Sequence, residues 1–244
     1  GVSGQLVTQA GVTLGDVQQA AIKLGWKYGV DLSARDSASI GGTIATNAGG
    51  SQVLRYGNTR RQVLGLEAVT GTGEVVGDLR GLAKDNTGYH LPGLLCGSEG
   101  TLAVVTRARL RLVNAPEEEI SILLGFESLQ EALRVVEVVK KDLYDVQACE
   151  IFFRNGLSLV CDQFGLTPPW STPSNVYLLV DAAGQSGLVD RISQSPLAGF
   201  LESSKYVAFG SDAVSRKRIW RYRELHTEAI SATGVPHKLD VTIP

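Results

Sequence analysis

The chain has 244 residues, 43% hydrophobic and 20% charged, with a formal net charge of −2. This ordinary globular composition excludes recognition of a polyanion through a basic excess, and no run approaches the ~18 apolar residues of a membrane span. The length suits two modest domains as well as one. Its three cysteines, without a Cys-x-x-Cys pair, predict buried apolar thiols in a reducing cytoplasm.

The chain opens Gly1-Val2-Ser3-Gly4, carries no methionine and shows no signal-peptide pattern. It is expected to be a fragment or a processed chain. A short strand is predicted over residues 6–10, then a helix. Thr13 is its N-cap, Asp16 stands at the capping-box position, and Leu14, Val17, Ala20, Ala21 and Leu24 recur at helical spacing before Gly25. Residues 31–50, rich in Gly, Ser, Ala, Thr and Asn, predict no regular helix. A hairpin follows: a strand over 63–70, a turn at Gly71-Thr72-Gly73 and a return over 74–76. Residues 102–113 form the clearest strand. Ala108, Leu110 and Leu112 alternate with Arg107, Arg109 and Arg111, and the arginine row reads as a solvated face rather than an anion-binding stripe.

Asn114-Ala115-Pro116 with its acidic successors marks a boundary between 1–115 and 116–244. Beyond it the pattern gives a strand over 120–125 and a helix capped by Ser128 with Glu131 at the capping-box position. That helix has an apolar stripe of Leu129, Ala132, Leu133, Val136 and Val139. Strands near 150–153 and 175–181 flank a Pro-marked loop, and one last helix runs over 212–232. Strands mixed with such helices predict an α+β second domain over an antiparallel sheet.

Three constellations bear on chemistry. The first runs from Ser39 through Ile40-Gly41-Gly42-Thr43-Ile44-Ala45-Thr46-Asn47-Ala48-Gly49-Gly50. Glycine lets backbone approach a ligand closely, and successive exposed N–H groups can cradle phosphate or a planar heterocycle. Alone, such a loop is as often a tight turn. It is neither G-x-G-x-x-G nor a P-loop. The second is Lys84-Asp85-Asn86-Thr87-Gly88-Tyr89, followed by Gly97-Ser98-Glu99-Gly100-Thr101-Leu102 entering the arginine-bearing strand. The third is C-terminal. Arg223 and Thr227 lie four apart with Trp220 one turn earlier, and residues 237–243 alternate so that Lys238, Asp240 and Thr242 share a face. An arginine fork, a lysine charge and a threonine hydroxyl can hold a carboxylate; solvated charged faces would give the same pattern.

The first two runs, with Arg55-Tyr56-Gly57 between them, together resemble the vanillyl-alcohol-oxidase (PCMH-type) FAD-binding fold over the whole chain. Within that fold the match is to the D-lactate dehydrogenase, glycolate oxidase and D-2-hydroxyglutarate dehydrogenase branch. The resemblance implies the second part of an FAD-binding domain, then an α+β substrate (cap) domain with an antiparallel sheet. It implies non-covalent FAD held at Ser33, Ser37, Ser39, Gly41, Gly42, Thr46, Asn47, Ala48, Gly49, Glu99, Gly100, Val104 and Val105, and a substrate carboxylate bound by Arg223, Thr227 and Lys238. His90 stands where relatives often have Asp. The implied reaction oxidises a small D-2-hydroxy acid to the 2-oxo acid by hydride transfer to flavin, with electrons passing to a protein, quinone or oxygen. The resemblance places the pyrophosphate loop upstream of Gly1, and the general base and divalent-metal ligands downstream of Pro244. A homodimer is one arrangement the sequence permits. The rival readings are an alcohol-oxidising enzyme of the same fold and a non-catalytic FAD-binding subunit.

Overall fold

The computed structural model describes residues 4–82, 84–237, 239 and 241. The chain divides into two compact units, Gly1–Glu117 and Glu118–Pro244.

In the first unit, β1 (Gln5–Gln9), α1 (Leu14–Lys23), β2 (Trp26–Lys27), α2 (Ile40–Ala45), α3 (Val53–Tyr56) and α4 (Thr59–Gln62) precede the hairpin β3 (Val63–Thr70) and β4 (Val75–Asp78). Then come α5 (Leu91–Leu95), β5 (Ala103–Arg111) and β6 (Val113–Asn114). The main sheet has the order β1-β5-β3-β4 and is antiparallel throughout. Thr13 caps α1 by accepting the Asp16 N–H at 3.1 Å, and Leu14, Val17 and Ala21 face inward. Gly25 follows the helix at φ +76°, a left-handed value that glycine reaches without strain. Ala108 and Leu110 of β5 are fully buried, whereas Arg107 pairs with Glu67 across the strands and Arg109 binds the Leu79 carbonyl and Gln5. Two of the three arginines of the row thus find their partners within their own unit, while Arg111 is exposed. Residues 31–50 do contain a helix, contrary to the sequence expectation: Ser39 accepts the Gly42 N–H and starts the six-residue α2 despite two glycines. The cap and burial of Ile40 and Ile44 outweigh poor propensity.

The second unit comprises β7 (Glu118–Phe126), α6 (Leu129–Asp142), β8 (Val146–Phe153), α7 (Arg154–Phe164), β9 (Val176–Gly184), α8 (Leu188–Ser193), α9 (Leu197–Ser203), β10 (Val207–Gly210), α10 (Ala213–Glu224) and α11 (His226–Ala232). Its sheet is antiparallel in the order β10-β7-β9-β8. The two-residue strand period sorts the core. Ile120, Ile122, Leu124, Leu178 and Val180 pack with α6, α8 and α9. Leu123, Phe152, Tyr177 and Leu179 pack with Leu157 and Cys161 of α7 and Ile219 and Tyr222 of α10. Every residue of β9 is buried, as a strand covered on both faces requires.

In this second unit two further expectations need correction. The buried stripe of α6 is Ala132, Val135 and Val139, while Leu129 and Leu133 are exposed. Two apolar stripes about a residue apart were available, and the sheet takes the one with smaller residues. The single helix expected over 212–232 is broken at Leu225. There the Arg223 carbonyl accepts the Leu225 N–H and lies 3.1 Å from His226 Nδ1.

Candidate functional site

In the first unit, two sequence-distant runs meet. The Gly97 N–H donates to the Ile44 carbonyl at 3.0 Å and the Glu99 N–H to Ala45 at 2.9 Å. This ties the turn before β5 to the end of α2. Arg60 locks the junction: its N–H donates to Asn47 Oδ1 at 3.0 Å and its guanidinium to the Cys96 carbonyl. Among the described residues, the only non-glycine positions with positive φ are Asn47 (49°) and Glu99 (51°), one in each run. Such backbone is uncommon outside glycine and clusters at ligand clamps.

The glycines separate into two kinds. A Cβ on Gly41 would lie 2.9 Å from Ala10 Cβ, and one on Gly50, at φ +82°, only 1.9 Å from the Asp31 carbonyl oxygen. Packing explains both. A Cβ on Gly42 would meet only the capping Ser39 Oγ, and one on Gly100 would meet nothing within 4 Å. Gly42 costs the helix about 0.5–1 kcal/mol relative to alanine, and the fold offers no packing reason for it.

The other predicted cofactor positions fall as follows. Ser39 lies beside Gly42 as the cap; the Thr46 hydroxyl bonds back to the Gly42 carbonyl at 3.0 Å; the Ala48 carbonyl receives the Thr59 N–H and hydroxyl; Gly49 packs on Val53. Ser33 and Ser37 are exposed on the preceding turn. Val104 is 66% exposed just past the turn, while Val105 packs against the core, so adjacent strand positions divide between surface and interior. Exposed Leu102 and Val104 thus give an apolar surface beside the junction of the two runs. His90 caps α5, its Nδ1 accepting the Gly93 N–H at 3.2 Å, a task open equally to an aspartate. The thiols of buried Cys96 and half-buried Cys149 are each pushed up to about 11 by loss of solvent, and none of the three cysteines is in a disulfide.

In the second unit, Arg223 lies half-buried on α10, with Nε donating to Glu150 Oε2 of β8 at 2.8 Å. It lines an open cavity of about 560 Å³, together with Ile151, Phe152, Phe153, Asn155, Gly156 and His226.

 The ring of His226 stands edge-on to Phe152, with centroids 5.3 Å apart, and its Nε2 is buried with no hydrogen-bond partner. A Cβ on Gly156 would lie 2.5 Å from that nitrogen, so only glycine admits the imidazole here. Burial, more than the nearby Arg223 charge, holds the His226 pKa below its usual value. Because a carbonyl can only accept, Nδ1 carries the proton in the neutral ring and Nε2 is a bare acceptor. Thr227 is exposed beyond the helix break, so its four-residue spacing from Arg223 does not by itself put the two on one face. Lys238, Asp240 and Thr242 lie outside the described residues.

Sequence reasoning missed Glu150, His226 and Asp181. Asp181 carried a signal: it is the one charged residue in the otherwise uncharged run Val176–Gly184. Glu150 matters through Arg223, and His226 through Phe152 and Gly156, all distant in sequence.

Comparison with known proteins agrees with this geometry. Residues 1–77 match the FAD binding domain family, and residues 115–244 match the family of FAD linked oxidases, C-terminal domain. The chain is 38% identical to the mitochondrial D-2-hydroxyglutarate dehydrogenase of Bos taurus, covering 100% of this chain and 45% of that protein. It is 37% identical to the D-2-hydroxyglutarate dehydrogenase of Xanthomonas citri pv. viticola, covering 99% and 51%. The chain therefore spans about half the length of these relatives. A solved alkyldihydroxyacetonephosphate synthase shares the fold, with a TM-score of 0.70 at 19% identity over 94% of this chain and 45% of that one. The FAD binding domain family covers the glycine-rich run of the first unit, and the matched C-terminal family spans the whole of the second and more than half of the chain, so the chain belongs to the FAD linked oxidases.

Proposed function

We propose that the protein containing this chain oxidises a small D-2-hydroxy acid, of the D-2-hydroxyglutarate, D-lactate or glycolate type, to its 2-oxo acid. The observation that carries the reading is Arg223, whose Nε is held by Glu150 while the guanidinium lines a cavity. The names of the relatives support it. Residues 1–115 are assigned to the cofactor and 116–244 to the substrate.

Bound FAD supplies an acceptor for the hydride that leaves the substrate's α-carbon. The chain's own residues bind and orient. Ser39, Gly41, Gly42, Thr46, Asn47, Ala48, Gly49, Glu99 and Gly100, with Ser33, Ser37, Val104 and Val105 around them, would hold the cofactor through close backbone approach and small side chains. Arg223 would bind the substrate carboxylate, with Thr227 and Lys238 completing the clamp. With Nε already engaged by Glu150, the terminal guanidinium nitrogens remain to form the fork. His226 is not the base that takes the hydroxyl proton, because its bare Nε2 is closed off against Gly156. We assign that base, and a divalent metal that polarises the substrate, to residues outside this chain. An uncharged alcohol would make no use of Arg223.

The two electrons then need a protein, quinone or oxygen acceptor. A cytoplasmic location and a homodimer belong to the same proposal. The location is supported by three free thiols, and no helix among the described residues is long and apolar enough to cross a membrane. The deciding experiment is the visible spectrum of the full-length protein before and after anaerobic addition of a panel of D-2-hydroxy acids. Bleaching of the flavin band by one acid is expected and would name the substrate. A folded, flavin-loaded protein that no hydroxy acid bleaches would overturn the reading.

A further inference from the structure

Helix α10 is fastened to its sheet mainly by polar contacts. Its only buried side chains are Ile219 and Tyr222. Arg216 pairs with Glu119 of β7 and lies 3.4 Å from the Asp181 carboxylate of β9. Trp220 Nε1 donates to Asp181 Oδ1 at 3.1 Å, and Arg223 Nε donates to Glu150 of β8. Since these strands are adjacent in the order β7-β9-β8, the helix crosses three strands and meets one carboxylate on each.

Asp181 is central. It is 1% exposed, and it also accepts from the Ser121 hydroxyl and the Gln147 amide. A carboxylate this deep is costly, and well-packed apolar residues are often as stable or more so. Its presence in an otherwise uncharged strand calls for a role other than stability. Trp220, which Asp181 grips, precedes Arg223 by three residues, so the two share a face of one rigid helix.

We propose that Asp181 is a positioning residue for Arg223: through Trp220 and Arg216 it fixes the rotation and height of α10, and so the place where the guanidinium meets the substrate carboxylate. This rests on the assignment of Arg223 as the carboxylate clamp.

The test is steady-state kinetics of the full-length, flavin-loaded protein with its 2-hydroxy acid, for Asp181→Asn, Trp220→Phe, Arg223→Ala and the Trp220→Phe/Arg223→Ala double variant. Trp220→Phe removes the N–H bond to Asp181 and one ring of an indole that is only partly buried, without altering the buried carboxylate itself, so it carries the test if Asp181→Asn fails to fold. Misplacing the clamp should raise KM about tenfold while kcat stays within about twofold and flavin content is unchanged. The double variant should be no worse than Arg223→Ala alone, because both changes act through one group. If Arg223→Ala raises KM but Trp220→Phe and any folded Asp181→Asn protein do not, or if the double variant shows additive losses, the positioning role is wrong and the clamp stands. If Arg223→Ala leaves KM unmoved, the clamp itself is wrong and the proposal falls with it.

Discussion

The two units build their candidate sites from different material. The first uses backbone: glycines, a capped short helix, and strained Asn47 and Glu99 where two runs dock. The second uses side chains from separate elements: Arg223 on α10, Glu150 on β8 and Asp181 on β9. A backbone site tolerates changes of side-chain chemistry but not an added Cβ. A side-chain site should respond in the opposite way. Each variant below tests one side of that contrast.

The largest effect is expected at Gly50. Alanine there would combine a φ of +82° with a Cβ placed 1.9 Å from the Asp31 carbonyl oxygen. Backbone must move, at a cost of about 3 kcal/mol or more. Thermal melts and flavin content of the full-length protein should both fall. A Gly50→Ala protein that melts like the wild type would show that this turn does not hold the first site together.

Next comes Arg223→Ala. Removing one partner of a hydrogen-bonded charge pair at a binding site costs about 2–3 kcal/mol, so KM for the hydroxy acid should rise about 10²-fold. Arg223→Lys should recover only part of this, because lysine keeps the charge without the planar fork. Full recovery by lysine would mean that charge alone is read, and that Glu150 does not orient the group.

This contrast explains what was legible in the sequence. The special backbone of the first site could be read because glycine and asparagine report backbone needs locally: Gly41-Gly42 and Asn47 mark their own positions. The hairpin over 63–76 and the Thr13 cap were readable for the same reason. The α6 stripe was misread because Leu129 and Val135 fit helical periodicity equally well and only the sheet chooses between them. The break at Leu225 was unreadable because it depends on the Arg223 carbonyl meeting both the Leu225 N–H and the His226 ring. Glu150 is 73 residues from Arg223, and no local pattern records that pairing.

Gly42→Ala sharpens the backbone side. Its Cβ would meet only Ser39 Oγ, at 3.1 Å, so the fold should accept it. Helix propensity predicts a gain of up to about 1 kcal/mol in the apoprotein. If the space above Gly42 belongs to the cofactor, FAD affinity should fall while the apoprotein melts at the same temperature or higher. Equilibrium flavin binding and apoprotein melts, measured together, separate the two. Unchanged FAD affinity would leave Gly42 without a ligand role.

The smallest effect concerns His226 and follows from its burial. Its pKa is lowered below the ordinary 6.5 chiefly by loss of solvent. Between the folded pKa and 6.5 the unfolded chain therefore binds more protons than the folded one. Stability contributed by the neutral ring is fully present above 6.5 and declines as pH falls toward the folded pKa, below which the loss is complete. The difference in melting temperature between wild type and His226→Gln should accordingly shift toward the variant as pH drops below 6.5, with Arg223 and Glu150 unchanged as neighbours. A difference that stays flat across this window would mean that the ring is charged or solvated in the folded protein. The bare Nε2 against Gly156, on which its exclusion as a base depends, would then be wrong.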